Sequence, residues 1–384
     1  MTTAFAFATA TEILFGRGQA DTAAARISAL GKRLLLVRGQ SEVRSRDLAQ
    51  ALTVAGCQII PYAIAQEPEL SMIERGVALA REHRVDAVLA IGGGAVIDAG
   101  KAIAGLVPGT RPILDHLEVV GRGLPLEHAP LPFVAMPTTA GTGAEVTRNA
   151  VIGVPEHRRK VSLRDPRMLP RLAIIDPALT DNCPRGITLA SGLDAITQVI
   201  EPFVCTRANH LTDALCRDAI GRGLTAIRRL MQAEDPEARD EMAWVSLCGG
   251  FALANSGLGA VHGLAGPLGG LSKAPHGAIC GALLPHVLRA NRRAVTESRL
   301  LARLDQVALW INAAFGDHDQ DMERAASRLE TWSREAGLAR LSELGVSRAA
   351  METAAVSAAA SSSMKANPAA LSAGELHDIM LAAG

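Results

Sequence analysis

The chain has 384 residues, with 39 Lys+Arg balanced by 39 Asp+Glu. It is long enough to bury two cores and has no basic field that would draw nucleic acid or anionic lipid to its surface. Aromatic residues make up 3%, too few for a base-stacking platform, and no apolar run approaches the length of a membrane span.

In chain order, the segment from Met1 to Ala8 lacks a basic region before its apolar residues and reads as a first strand of the fold, not a targeting signal. Strand-like runs follow at 33–37, 58–63, 87–91, 133–136 and 173–175, with helical spacing at 47–55, 73–83 and 96–106. This alternation predicts a parallel, Rossmann-like sheet with helices on both faces, and ligands at the carboxyl ends of the strands. After Asp176-Pro177 the strand-like runs stop. Helical periodicities then run over 189–204, 211–233, 240–257, 278–290, 299–314 and 321–336. The expectation is an α/β domain over 1–178 and an all-helical domain over 179–384, packed closely around a cleft. Ser361-Ser362-Ser363 reads as a loop flanking a helix. Six cysteines, at 57, 183, 205, 216, 248 and 280, show no CxxC spacing and are expected as small buried hydrophobes in a reducing cytoplasm.

Two turns carry the strongest chemical signal. Gly92-Gly93-Gly94-Ala95-Val96-Ile97-Asp98 and Pro137-Thr138-Thr139-Ala140-Gly141-Thr142-Gly143-Ala144-Glu145-Val146-Thr147 each follow a buried-strand run. Glycines directly after a strand let backbone N–H groups approach a phosphate, and the next helix adds its positive dipole. One glycine triplet is usually only a tight turn. Two such turns at strand ends favour a nucleotide site.

The helical half holds Asp194, His262 and His276 on separate predicted helices, both histidines near a helix start. Gln198 shares the Asp194 face one turn on. Glu201, a further turn along, reads either as a support for such a group or as a structural residue. Each histidine alone is more often a satisfied core residue; with Asp194 they suit a two-imidazole, one-carboxylate divalent site.

These blocks, with Phe15-Gly16-Arg17-Gly18, Lys101 and the runs 192–201, 261–270 and 275–287, resemble the iron-containing (group III) alcohol dehydrogenases, in the same order along nearly the whole chain. The resemblance implies a nicotinamide-binding sheet domain, a helical metal-binding domain and an active site between them. It implies that Gly93, Gly94 and Ala95 receive the pyrophosphate, that Asp98 orients that turn, and that Thr138, Thr139, Thr142, Asn149 and Lys160 contact the rest of the dinucleotide. Lys160 also reads as a solvated lysine in the charged run 156–160. It further implies a homodimer.

The chain departs from the family pattern at two places. The family usually holds its metal with one Asp and three His; Asp194, His262 and His276 match, but the fourth position is Gln198, a neutral amide and a poorer ligand for iron or zinc. A further family histidine, assigned to proton relay, is replaced by Gly266. His157, His210 and His286 are not placed near the site by anything in the sequence, and His286 reads as structural. At the end of the first long strand-like run, Gly39 stands where NAD-preferring members often carry an Asp, so no carboxylate opposes the 2′-phosphate of NADP; Arg38 and Arg44 either help with that phosphate or are surface charges.

The expected function is cytoplasmic, NAD- or NADP-dependent hydride transfer between a small alcohol and an aldehyde, ketone or oxo-acid. A divalent iron or zinc ion, weakened by Gln198, would act as Lewis acid. One alternative is a metal-independent reductase of an anionic substrate, similar to the maleylacetate reductases, with Arg148 and Arg164 meeting a carboxylate. The other is a nucleotide-binding relative without catalysis, against which the two intact turns argue.

Overall fold

The computed structural model describes residues 4–359 and 361–384. The chain divides into two compact units, one formed by Ala8–Asp181 and the other by residues 4–7 with Asn182–Gly384.

In the first unit the strands are β1 (Ile13–Phe15), β2 (Arg33–Arg38), β3 (Gln58–Ala63), β4 (Ala87–Gly92), β5 (Phe133–Pro137), β6 (Asn149–Val154), β7 (Arg159–Arg164) and β8 (Leu172–Ile175). The helices are α1 (Ala23–Ser28), α2 (Arg46–Val54), α3 (Leu70–Glu82), α4 (Gly94–Leu106) and α5 (Ile113–His116). Six strands form a parallel sheet in the order β1-β8-β5-β4-β2-β3. Alternate strand residues enter opposite cores. Leu35, Val37, Val88, Ala90, Phe133 and Ala135 pack with Ile73, Val77, Ile97 and Ile103 of α3 and α4. Leu34, Leu36, Leu89, Ile91, Val134 and Met136 pack with Ala23, Ile27, Leu48 and Leu52 of α1 and α2. Burial on both faces explains why these strands read as continuous apolar runs.

Two details differ from the sequence expectation. The first strand is Ile13–Phe15 and not within 1–8; residues 1–3 lie outside the described residues, and 4–10 form neither helix nor strand. The Phe7 ring lies 6.0 Å from that of Phe251, so this segment packs on the helical unit instead of entering the sheet. The antiparallel hairpin β6–β7 was not anticipated. Its charged run became the turn, with Arg158 left-handed at φ 51°, and hid the alternating burial on either side.

The second unit contains α6 (Arg185–Val204), α7 (His210–Leu230), α8 (Pro236–Asn255), α9 (Ala260–Leu271), α10 (His276–Ala294), α11 (Ser298–Ala314), α12 (Met322–Glu335), α13 (Arg348–Ala358) and α14 (Ala373–Ala382). Helix α6 is buried almost continuously from Leu189 to Val204 and is the axis on which α7, α8 and α10 pack. Its partners start with local caps: Asn209 accepts from Leu211 and Thr212 N–H at α7, and Asp235 from Ala238 N–H at α8. Among the described residues, no single helix is long and apolar enough to cross a membrane.

Candidate functional site

In the sheet unit, β4 and β5 are neighbours with Gly92 opposite Pro137, so the glycine turn and the threonine-rich turn emerge side by side at the carboxyl edge. Thr138 N–H donates to Gly92 O at 2.9 Å. No side chain caps the start of α4 at Gly93, the position where a helix favours an anion. The turns also fit each other. A Cβ added at Gly94 would lie 2.8 Å from Thr142 Cγ2, and one at Gly93 would lie 3.3 Å from Thr139 Oγ1. Gly94 is therefore needed for close packing of the two turns. Gly143 is left-handed at φ 58°, a conformation that favours glycine.

Behind these turns, the fully buried Lys101 of α4 donates from Nζ to Ala144 O (2.6 Å), Thr147 Oγ1 (2.9 Å) and Asn149 O (2.9 Å). Asp98, one turn earlier, accepts from Val151 N–H at 3.1 Å. Together they fasten the threonine turn and β6 to the helix that follows the glycines. Burial pulls the Lys101 ammonium down to about 8, against the opposing pull of Asp98 and Glu145. Burial pushes the Glu145 carboxyl up to about 7. Lys160 on β7 pairs with Glu67, Arg164 with Glu118 at 2.9 Å, and Gly39 follows directly on β2. The Arg38 guanidinium donates to Gly39 O (2.9 Å) and Gln40 O (3.0 Å) beside it, and that of Arg44 to Leu179 O and Asp181 O, tying the loop before α2 to the segment after β8.

In the helical unit the side chains of Asp194 (α6), His262 (α9) and His276 (α10) converge, and Cys280 of α10 joins them. Their ligand atoms all lie within 4.8 Å of one another. His262 Nε2 is 3.3 Å and His276 Nε2 3.8 Å from Asp194 Oδ1; Cys280 Sγ is 3.6 Å from His276 Nε2. Close helix packing makes this possible. A Cβ at Gly277 would lie 2.4 Å from Ala190 O, and one at Gly281 2.7 Å from Leu193 Cδ1, so bare glycines let α10 press onto α6 beside Asp194.

Glu201 resolves its two readings by doing both tasks. Its Oε2 accepts from His262 Nδ1 at 2.7 Å, and its Oε1 accepts from Val261 N–H at 2.6 Å at the start of α9. Asn367 Oδ1 accepts from the neighbouring Ala260 N–H at 3.0 Å and is paired with Asn291 of α10. With Nδ1–H engaged, His262 turns Nε2 toward Asp194. Yet His262 Nε2 and Asp194 Oδ1 are both buried and have no hydrogen-bond partner among the described residues. Such an orphaned pair is costly unless a cation binds it.

The electrostatics agree. Burial lowers the His276 imidazole, but Cys280 and Asp194 outweigh it and hold it up at about 9. Burial likewise opposes protonation of His262, while Cys280, Asp194 and Glu201 hold it well above the usual histidine range. Burial would raise the Asp194 carboxyl, but the two imidazoles carry it downward. The cluster is thus arranged to hold positive charge, and its oxygen, nitrogen and sulfur donors fit a divalent transition ion.

Gln198 is buried one turn beyond Asp194, where a Cβ on Gly249 of α8 would lie 3.3 Å from its Cβ and Nε2. At Gly266 an added Cβ would meet nothing within 4 Å. His157 and His210 are exposed, and His286 lies 3.7 Å from Glu330 on α12. Sequence reasoning missed Cys280, read only as a small hydrophobe, and the Asn291–Asn367 pair. The i, i+4 spacing of His276 and Cys280 was the signal available for the first.

Two family models cover the chain: iron-containing alcohol dehydrogenase over residues 10–177, and the C-terminal region of the Fe-containing alcohol dehydrogenase family over 188–384. Similar curated proteins include the lactaldehyde reductase of Escherichia coli strain K12, 36% identical over 282 residues, 72% of this chain and 73% of that protein. Another is the NAD-dependent methanol dehydrogenase of Bacillus methanolicus, 32% identical over 367 residues, 92% of this chain and 93% of that protein. Among solved structures, a 1,3-propanediol oxidoreductase superposes with a TM-score of 0.87 at 28% identity over the full length of both chains. With its parallel sheet unit, its helical unit and its convergent donor cluster, the chain belongs to the iron-containing alcohol dehydrogenase family, oxidoreductases that interconvert alcohols and carbonyl compounds with NAD(P) and a divalent metal.

Proposed function

We propose that this enzyme interconverts a small primary or secondary alcohol and its aldehyde or ketone, with Asp194, His262 and His276 holding the metal and Gln198 standing beside it. The orphaned pair Asp194 Oδ1 and His262 Nε2 carries this reading. When bound, the ion supplies Lewis-acid polarisation of the substrate oxygen, and the dinucleotide supplies the hydride acceptor or donor. Glu201 keeps the proton on His262 Nδ1 and so leaves Nε2 as a neutral donor. His276, with 34% of its side chain exposed against 3% for Asp194, is the member of the cluster open to an incoming oxygen.

On the sheet unit we assign the pyrophosphate to Gly93, Gly94 and Ala95. Thr138, Thr139, Thr142 and Asn149 line the same edge, and Asp98 and Lys101 hold that edge in shape. Lys160, whose ammonium pairs with Glu67, is assigned to a ribose hydroxyl. Gly39 places no carboxylate against a 2′-phosphate, so both NAD and NADP serve. The names of the relatives, lactaldehyde reductase and 1,3-propanediol oxidoreductase, support short, hydroxylated substrates. Balanced charge and six unpaired cysteines support a cytoplasmic enzyme without nucleic-acid or membrane partners, and we propose a homodimer, as the family resemblance implies.

The test is oxidation of NADH and NADPH with a panel of small aldehydes, ketones and oxo-acids, alongside metal analysis. Turnover with lactaldehyde-like substrates, lost on chelation and in Asp194→Ala, supports the reading. Turnover that survives both sinks it. Sedimentation velocity checks the dimer.

A further inference from the structure

Gln198 leaves the donor set one imidazole short of the family pattern, but the cluster still has four ligand atoms. The fourth belongs to α10. Cys280 lies one helical turn beyond His276, so the two side chains share a face. The thiol is fully buried, and its Sγ lies 3.6 Å from His276 Nε2. Ordinary zinc bond lengths, about 2.0–2.2 Å to nitrogen or oxygen and about 2.3 Å to sulfur, give tetrahedral edges of roughly 3.3–3.7 Å between donors. Of the donor separations, 3.3 and 3.6 Å fall within such edges and 3.8 Å lies just beyond them. The orphaned Asp194 Oδ1 and His262 Nε2 belong to the same group, independent evidence that it is built around a ligand. Among the described residues no other cysteine belongs to a group of this kind.

We infer that Cys280 fills the ligand position that Gln198 leaves without an imidazole, so that the site presents one carboxylate, two imidazoles and one thiolate and selects zinc over ferrous iron. This rests on the reading of Asp194, His262 and His276 as metal ligands. Two anionic donors balance a divalent ion in a buried site, where a neutral amide would leave one charge uncompensated. A soft thiolate also favours zinc, which already stands above ferrous iron in intrinsic affinity for such donors.

The metal-free full-length protein is titrated with cobalt(II), and zinc and iron(II) are then set in competition under anaerobic conditions. The wild type should bind one cobalt and show a thiolate-to-cobalt charge-transfer band in the near ultraviolet above the visible d–d bands. Cys280→Ser and Cys280→Ala should both lose the charge-transfer band, keep weakened d–d bands, bind zinc about tenfold less tightly or worse, and shift the competition toward iron. The alanine variant covers the case in which a buried serine hydroxyl unsettles the packing, and far-ultraviolet circular dichroism reports the fold of each. A wild type with d–d bands but no charge-transfer band overturns the role of Cys280 and leaves the three-ligand reading standing. So does a band that persists in both variants. A wild type that binds no stoichiometric cobalt overturns both readings.

Discussion

Glu201 shows how much one carboxylate determines in this site. It is buried on α6, yet its oxygens reach across to α9, one to a backbone N–H and one to the His262 ring. Glutamine can still accept from Val261 N–H but offers no carboxylate to His262. Glu201→Gln should therefore preserve the fold and lower metal affinity by roughly 10- to 100-fold, read as loss of zinc to a chelator of known strength. Lys101 and Glu145 set a different balance. Both lie buried beneath the threonine turn, and burial disfavours the charged form of each. Glu145 is held at about 7 against a reference of 4.5, so between those values the folded protein binds the extra proton and stability falls as pH rises. Lys101 is held at about 8 against 10.5, so there the unfolded chain binds the extra proton and stability rises with pH. Denaturant titrations should show Glu145→Gln with a flatter stability profile than wild type from pH 4.5 to 7. A wild-type profile already flat in that window would contradict the assignment.

At the scale of elements, two close approaches shape the glycine turn of the sheet unit and the donor cluster of the helical unit. The glycine turn and the threonine turn touch at Gly94 and Thr142, where an added Cβ would meet both branches of the threonine, one at 2.9 Å. Gly94→Ala should displace Thr142 and weaken NADH binding by tenfold or more, about 1.4 kcal/mol, while the sheet survives; fluorescence titration of the cofactor measures it. The second approach is α10 on α6. Gly277→Ala would set a methyl 2.4 Å from a backbone carbonyl, which cannot swing aside as a flexible side chain would. The helices must part, at a cost of about 1–3 kcal/mol, and chemical unfolding should show that loss together with reduced metal retention. Elements were legible in the sequence where a local rule applied. The alternating strands and helices of residues 33–106 read well because two buried sheet faces make continuous apolar runs. Helix α9 read only at its start, around His262: Gly263, Gly266, Pro267, Gly269 and Gly270 all disfavour helix, and burial of Val261, Leu264 and Leu268 carries it on to Leu271.

For the molecule as a whole, the metal is expected to be a structural element as well as a chemical one. The donor cluster draws on α6, α9 and α10, which are also joined by side-chain packing and by hydrogen bonds such as His262 to Glu201. An ion that binds the folded state alone adds about 4 kcal/mol when present at about 1,000 times its dissociation constant. Calorimetry of the zinc-loaded and chelated protein should therefore show a higher unfolding temperature for the loaded form. Equal temperatures would mean that the cluster does not bind metal in the folded state.

The sequence by itself determined the α/β-then-helical order, the two phosphate-type turns at strand ends, and Asp194, His262 and His276 as a candidate metal set. These depend on local periodicity, on glycine and threonine after apolar runs, and on residue types with few uses. Only the tertiary structure decided that Cys280 joins that set, that Glu201 both caps α9 and orients His262, and that Lys101 ties the threonine turn to α4. It also showed that Arg38 bonds the backbone beside it and that Arg44 bonds the carbonyls of Leu179 and Asp181. In sequence, apart from its i, i+4 spacing from His276, Cys280 is a small residue on a buried helix like the other cysteines. What sets it apart is the close approach of α10 to α6 at Gly277 and Gly281, a contact between segments about 90 residues apart along the chain that no local pattern encodes.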